Sequence, residues 1–198
     1  MKKILIINGH PDKESYNHAL SKAYIDGVNK NQASITEINI SDLDFNPNLE
    51  FGFRKRTELE PDLIDALKKI KEADHLVWFF PLWWASYPAI MKGFIDRVFL
   101  PGLTFELEEG SHEPIGLLKG ISAEVFITSD TPEDYDKEVM KQPVLHQFKT
   151  GTLEYCGVSP VNVMYIATIS DSTEAFRENW LNRVCELGGN QTDLVVLN

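Results

Sequence analysis

An unbroken apolar run and an amphipathic stretch follow one another in the middle of the chain. Residues 76–80 form the kind of run that a buried parallel strand needs, because helices cover both faces of such a sheet. Pro81 ends this run, and Pro88 suits the first turn of a helix. Apolar residues then recur at spacings of three and four, at Ile90, Met91, Phe94, Ile95 and Val98. The pattern predicts a strand, a turn and a helix.

The same succession of strand, loop and helix recurs on both sides of this segment. Apolar or alternating runs predict four further strands, at residues 4–7, 34–40, 123–128 and 161–167. Apolar residues at helical spacing predict helices between them, with these side chains facing the core: Ala19, Leu20, Ala23, Tyr24 and Val28; Leu63, Ile64, Leu67 and Ile70; Phe176, Trp180, Val184 and Leu187. Pro143 is expected to open a helix that stops at Gly157. Residues 170–173 offer N-caps for the last helix, and Gly188-Gly189 is expected to end it.

Two segments lack either period. Residues 41–60 are rich in Asp, Asn, Pro and Gly and carry the basic Arg54-Lys55-Arg56 cluster, which predicts a long connection. Apolar Phe105 and Leu107 alternate with polar residues beside a Glu-Glu-Gly stretch. That alternation predicts a small hairpin or an irregular excursion outside the main sheet.

Five strands separated by helices indicate an α/β fold with a five-stranded parallel sheet. Right-handed crossovers favour the strand order 2-1-3-4-5. In this order the carboxyl ends of the first, third and fourth strands lie together, which is where such folds bind ligands. Loops 9–17, 81–87 and 129–135 are therefore expected to converge, within a single domain that spans residues 1–198.

Composition narrows the classes of partner. The chain is 43% hydrophobic with a net charge of −11 and has no block of Lys or Arg, which argues against nucleic acid or an anionic membrane as the partner. Cys156 and Cys185 are too few and too far apart for a thiolate metal cluster or a C-x-x-C pair. No stretch has the length of a membrane span. We expect a cytoplasmic protein without membrane insertion.

The turn between Pro81 and Pro88 holds large apolar side chains that are costly to leave in water. They are Leu82, Trp83, Trp84 and Tyr87. One interpretation is that a flat ligand stacks on them, because they follow the carboxyl end of a parallel strand. The alternative is that they pack against a neighbouring loop or a second subunit. This segment alone favours neither.

The first loop is suited to a phosphate. It combines His10, Ser15 and Asn17 with the free backbone N–H groups that open a helix. Ser15 could equally be a plain N-cap, and His10 a solvent-facing loop residue. The loop lacks the G-x-G-x-x-G of a dinucleotide fold and the Gly-Lys-Ser/Thr of a P-loop.

Together, the first loop and the aromatic loop describe a site for a molecule with a phosphate at one end and a flat ring at the other. Flavin mononucleotide fits that description. In the third loop, Tyr135 could offer a hydroxyl near a reacting carbonyl or near the flavin, or could be an ordinary exposed tyrosine. We find no His and carboxylate pairing at metal-ligand spacing and no G-x-S-x-G of a serine hydrolase.

The chain resembles the flavodoxin-fold NAD(P)H quinone dehydrogenases, a family that includes bacterial general-stress and potassium-efflux ancillary flavoproteins and the animal quinone reductases. The resemblance covers nearly the whole chain and is carried by four segments: NGHPDKESYNHAL, FFPLWWASYPAIMKGFIDRVF, PIGLLKG and LEYCGVSPVNVMY. The second segment is the specific one. It implies a flavodoxin-like three-layer sandwich.

The resemblance also implies roles for individual residues. Those expected to hold the flavin phosphate are His10, Ser15, Tyr16 and Asn17, with Tyr16 acting chiefly through its backbone. Those expected to line the isoalloxazine are Pro81, Leu82, Trp83 and Trp84. The turn Thr128-Ser129-Asp130 is expected to bind the cofactor, and Tyr135 to act in catalysis.

The implied activity is two-electron, ping-pong hydride transfer from NAD(P)H through FMN or FAD to a quinone-like acceptor, in a homodimer with the active site at the subunit interface. No metal is implied. An alternative is a flavin-binding regulatory, ancillary or electron-carrier protein without significant turnover. A flavin-free structural relative is a third possibility.

The sequence departs from the family pattern at three places. Where the family commonly has Thr-Thr-Gly-Gly after the fourth strand, this chain reads Thr128-Ser129-Asp130-Thr131, and a carboxylate there would disfavour an anionic reduced flavin. The histidine that the animal enzymes pair with the tyrosine of this loop has no counterpart close after Tyr135. Trp83 replaces a residue that is often Gln or Tyr, which would narrow the cavity if its ring points inward.

Overall fold

The computed structural model describes residues 1–108, 110 and 113–191, and its strands alternate with helices through most of that length. Within these residues the strands are β1 Lys2–Asn8, β2 Ala33–Asn39, β3 His75–Pro81, β4 Phe105–Leu107, β5 Pro114–Gly116, β6 Ser122–Thr128 and β7 Val161–Ile166. The α-helices are α1 Tyr16–Gly27, α2 Pro61–Glu72, α3 Ala89–Val98, α4 Glu133–Tyr135 and α5 Glu174–Asn190. A 3₁₀ turn spans Ile40–Asp42, and π-helices span Asp136–Met140 and Leu145–Glu154.

Five of these strands form one parallel sheet in the order β2-β1-β3-β6-β7. Counted along the sheet-forming strands alone, this is the order 2-1-3-4-5, so the predicted topology is confirmed. All seven residues of β3 are buried, as expected of a central strand covered on both faces. Trp78 and Phe80 face the layer formed by α2 and α3, whereas Val77 and Phe79 face the layer formed by α1 and α5.

The predicted excursion after the central helix is a two-stranded antiparallel hairpin, in which Phe105 pairs with Gly116. Residues 109, 111 and 112 of the predicted turn lie outside the described residues. In the connection between β2 and α2, the 3₁₀ turn is the one regular element that the structure describes.

Two predicted core positions are wrong. Ile64 is 56% exposed, and Ala66 is buried in its place beside Leu63, Leu67 and Ile70. The reason is geometric: positions 63, 66, 67 and 70 share one side of α2, and position 64 lies beyond its edge. Ala19 is likewise exposed at the margin of α1.

The sequence predicts that Gly188-Gly189 ends the last helix, but the helix does not end at this pair. Helix α5 begins after the cap Thr173, whose Oγ1 accepts the Phe176 N–H at 3.2 Å, and it continues through Gly188 and Gly189. A Cβ at Gly188 would collide with the Tyr24 carbonyl oxygen of α1. The glycine therefore lets α1 and α5 approach closely. In the sequence alone, a glycine required for helix packing cannot be told from one that ends a helix.

Gly188→Ala is expected to lower the free energy of unfolding by about 2 kcal/mol, because the methyl group meets rigid backbone that can move only by separating the helices. Gly189→Ala is the matched control. A Cβ there would lie 3.4 Å from the nearest atom, the Gly27 carbonyl oxygen. The control is expected to hold stability or raise it by up to about 1 kcal/mol, because alanine favours helix. Urea unfolding of both variants tests the pair, and equal destabilisation would contradict the packing argument.

Candidate functional site

A cavity of about 380 Å³ opens at the carboxyl ends of the parallel strands. Its size lies in the range of small-molecule sites. Four loops line it, with these residues: His10, Asp12, Ser15, Tyr16, Asn17, Pro81, Leu82, Trp83, Thr128, Ser129, Asp130, Thr131, Ile169 and Ser170. The three loops that the topology was predicted to bring together meet here.

Hydrogen bonds within the first loop fix its shape. The His10 N–H donates to Oδ1 of the buried Asn8 at 2.9 Å, and the Asp12 N–H donates to His10 Nδ1 at 3.0 Å. Nδ1 therefore carries no proton, and Nε2 is the donor of a neutral ring. Burial lowers the pKa of His10 despite the neighbouring Asp12, which favours the same neutral form.

Two oxygen atoms at the start of α1 are buried without a hydrogen-bond partner: Ser15 Oγ and Asn17 Oδ1. Ser15 occupies the N-cap position, yet its side chain makes no cap hydrogen bond. The N–H groups of a first helical turn have no partner inside the helix and carry partial positive charge. A hydroxyl donor and these N–H groups fit a bound phosphate, and the Asn17 oxygen can accept a hydroxyl of the same ligand.

Two side chains in the first turn of α1 connect this helix to neighbouring elements. Asn17 is 3% exposed, and its Nδ2 donates to Thr128 Oγ1 at 2.8 Å, which ties the first loop to the end of β6. The Tyr16 hydroxyl donates to the Arg177 carbonyl oxygen at 2.7 Å, and burial raises the pKa of Tyr16 to about 12. Because its phenol is engaged with α5, Tyr16 has its backbone left for a ligand at the helix opening.

The aromatic loop is a tight turn closed by two backbone hydrogen bonds between Trp83 and Ser86, of 2.8 Å and 3.0 Å. Its two central residues, Trp84 and Ala85, have φ of 52° and 58°, a conformation that L-residues rarely adopt and that is found at functional sites. Leu82 and Trp83 line the cavity, with the Trp83 ring edge-on to His10 at 5.5 Å between centroids.

Two aromatic residues of this loop lie away from the cavity. Trp84 is fully exposed and does not line it. Tyr87 was expected in the exposed loop but is 5% exposed, because its ring packs against Phe80 and Phe148 in the core. Tyr87 therefore needs no ligand or partner to cover it.

The third loop presents a hydroxyl and a carboxylate where glycines were the family pattern. Ser129 is buried, and its Oγ accepts the Thr131 N–H at 2.9 Å. Asp130 is exposed, and its Oδ1 accepts the Ser170 N–H at 2.8 Å, which joins the third loop to the loop after β7. Side chains thus replace glycine in closing the turn.

The structure does not bring Tyr135 into the cavity. Its side chain is 52% exposed at the end of α4 and is not among the lining residues. The next residue, Asp136, is 1% exposed, and both carboxylate oxygens lack a hydrogen-bond partner. The Tyr165 phenol lies beside this carboxylate, and burial raises the pKa of Asp136.

Asp136→Asn is expected to stabilise the protein at neutral pH. Burial raises the folded pKa, so the ionised carboxylate costs stability as pH rises from the unfolded pKa to the folded one, and costs nothing below the unfolded pKa. A gain of about 1 kcal/mol at pH 7, or about 2–4 °C in Tm, should disappear by about pH 4. Thermal unfolding at both pH values tests this, with the exposed neighbour Asp134→Asn as the control. The same gain at both pH values would contradict it.

Four lining residues were not among the predicted site residues: Asp12, Thr131, Ile169 and Ser170. Asp12 and Thr131 lie within loops that the topology had already singled out. Ile169 and Ser170 follow β7, whose carboxyl end lies next to that of β6 in the sheet. The predicted strand order already placed the last strand beside the fourth, so the loop after the last strand could have been added to the site.

Two other classes of site receive no support from the described part of the chain. It holds no group of three or more His, Cys, Asp or Glu side chains that could bind a metal ion. None of its helices combines the length and apolar character that a membrane crossing requires.

Comparison with known proteins gives consistent matches. A family model described as a flavodoxin-like fold matches residues 2–187. A protein of Pongo abelii named ribosyldihydronicotinamide dehydrogenase [quinone] is 30% identical over 180 residues, covering 79% of this chain and 77% of the relative. The crystal structure of Smu.1420 from Streptococcus mutans aligns with a TM-score of 0.83 and 29% identity, over 95% of this chain and 99% of that one.

A more distant structure shares the fold. It is described as an FMN-dependent NADH-azoreductase from Bacillus anthracis in complex with FMN, and it aligns with a TM-score of 0.76 at 20% identity, over 97% of this chain and 100% of that chain.

Proposed function

The chain belongs to the flavodoxin-like fold family, and from this premise we propose that it is a flavin-dependent NAD(P)H oxidoreductase that reduces quinones or similar aromatic acceptors. The observation that carries the proposal is the cavity at the strand ends. One end offers the unpartnered Ser15 hydroxyl at the opening of α1, and the wall offers Leu82 and Trp83. A molecule with a phosphate and a flat ring matches both features, with the phosphate at the opening of α1 and the ring against the apolar wall.

The residues divide into binding and positioning roles. The proposed cofactor is FMN. Its phosphate would be held by the Ser15 hydroxyl, by the N–H groups of the first turn of α1 and by the ring Nε2–H of neutral His10. Leu82 and Trp83 would stack against the ring and exclude water from it. When bound, the flavin supplies the redox chemistry, taking two electrons from the nicotinamide and passing them to the acceptor.

A homodimer with the active site at the subunit interface belongs to the same proposal. Trp84 is fully exposed beside the cavity, and a second copy of the chain could take this apolar ring out of water. We further propose a cytoplasmic location, since Cys156 and Cys185 are both free thiols, as expected in a reducing compartment.

An absorption spectrum followed by anaerobic titration tests the proposal. The purified protein, supplied with FMN, should bind it, bleach the flavin band on addition of NADH or NADPH, and regain the band on addition of a quinone. Protein that binds no flavin would overturn the proposal. If flavin bound but stayed oxidised with both nicotinamides, the proposed enzyme activity would be contradicted, whereas the assignment of the fold would still hold. The named relatives give no support to the regulatory or carrier alternative.

A further inference from the structure

The charges around the cavity are unusual for a site that would hold an anionic ligand. Among the described lining residues there are two carboxylates, Asp12 and Asp130, and no Lys or Arg. His10 is the one lining residue that could carry a positive charge, and its Nδ1 accepts a backbone hydrogen bond as a neutral ring does. The lining side chains therefore carry a net negative formal charge.

The two carboxylates belong to different loops of the cavity. Asp12 belongs to the first loop, where its Oδ1 accepts the Glu14 N–H at 3.0 Å, close to the proposed phosphate end. Asp130 follows β6 and is held in place by the hydrogen bond from Ser170. It forms no ion pair with any residue that the structure describes, so its charge is not neutralised locally. Asp130 is therefore a fixed negative charge on the third loop, which a 2.7 Å hydrogen bond from the Leu82 N–H to the Thr128 carbonyl oxygen joins to the aromatic loop.

We propose that Asp130 sets the reduction potential of the bound flavin, by opposing the negative charge that the ring gains on reduction. The inference rests on the proposed function and deepens it. Hydride transfer from the nicotinamide brings two electrons and one proton, so the ring gains one negative charge unless water supplies a second proton. A nearby carboxylate raises the energy of that charge. The bound flavin is therefore a stronger reductant, suited to aromatic acceptors that are harder to reduce.

Asp130→Asn tests the charge while keeping the geometry, because the amide oxygen can still accept the Ser170 N–H. The midpoint potential of bound FMN, measured by equilibration with a reference dye, should rise by about 15–30 mV, a threefold to tenfold change in the two-electron equilibrium constant. Asp134→Asn is the matched control. It removes the same charge from an exposed residue of the same segment that does not line the cavity, and should leave the potential unchanged.

Salt separates an electrostatic role from a structural one. Because Asp130 is exposed, the difference in potential between wild type and Asp130→Asn should shrink by about half between roughly 0.01 M and 0.5 M salt. Equal potentials in the two proteins, or a difference that salt does not change, would overturn the inference. A wild-type protein that binds no FMN would overturn the proposed function instead, so the two failures are distinguishable.

Discussion

Replacing Arg97 by methionine is expected to lower the free energy of unfolding by about 3 kcal/mol, because the change leaves buried polar groups without their partner. Arg97 is 0% exposed. Its Nη2 lies 2.8 Å from Glu60 Oε2 and donates to the Glu58 carbonyl oxygen at 2.8 Å, and its Nη1 donates to the Asn46 carbonyl oxygen. One side chain of α3 therefore holds both ends of the connection between β2 and α2.

Two measurements check this expectation. Tm should fall by about 6–12 °C for a chain of this size. Burial opposes ionisation of Glu60, but hydrogen bonds from Arg97 and from the Asn46 N–H bring its pKa below the usual value. A depressed carboxyl pKa stabilises above the unfolded pKa, so the difference between wild type and Arg97→Met should shrink as pH falls through the folded pKa of Glu60.

Lys22→Met is the matched control for the loss of a cation. Lys22 pairs with Asp26 at 2.7 Å, but the two side chains are 75% and 55% exposed. Such an exposed pair contributes little to stability, because solvent screens the two charges. If Arg97→Met cost no more than Lys22→Met, the buried network would not be what holds the connection.

The order of the sheet could be predicted because its determinants are local. Each strand is a short apolar run bounded by turn residues, and the crossover rule leaves few ways to arrange five such runs. The role of Arg97 could not be predicted in the same way. Its acceptors at Asn46 and Glu58 lie in a segment without period, and no local pattern of hydrophobicity relates them to α3. Gly188 is similar, since its meaning depends on Tyr24 in another helix.

In the candidate site, the positions of the loops could be predicted from the sequence, but the directions of their side chains could not. The loops after the first, third and fourth sheet strands could be expected to converge from topology alone, and the structure brings them together. Side-chain directions within those loops could not be read from sequence. Tyr87 turns into the core and Trp84 points away from the cavity, although they are three residues apart in the same turn. The direction of Tyr87 depends on packing against Phe148, which lies far along the chain, and the direction of Trp84 depends on the geometry of the turn.

Ser15→Asp is expected to weaken FMN binding by roughly a hundredfold or more, because it places a carboxylate where the phosphate is proposed to lie. Aspartate is as good an N-cap as serine, so α1 should remain intact. Ser15→Ala removes only one hydrogen bond to a charged group and should weaken binding about tenfold. Fluorescence titration of the apoprotein gives each dissociation constant.

Riboflavin is the control ligand, because it carries the same ring and ribityl chain without the phosphate. Wild type and Ser15→Asp should bind riboflavin with equal affinity, so that the penalty appears for FMN alone. If Ser15→Asp bound FMN as tightly as wild type, the phosphate would lie away from the opening of α1. If it lost riboflavin and FMN equally, the substitution would have disturbed the first loop as a whole. A penalty confined to FMN assigns the unpartnered Ser15 hydroxyl and the first turn of α1 to the phosphate.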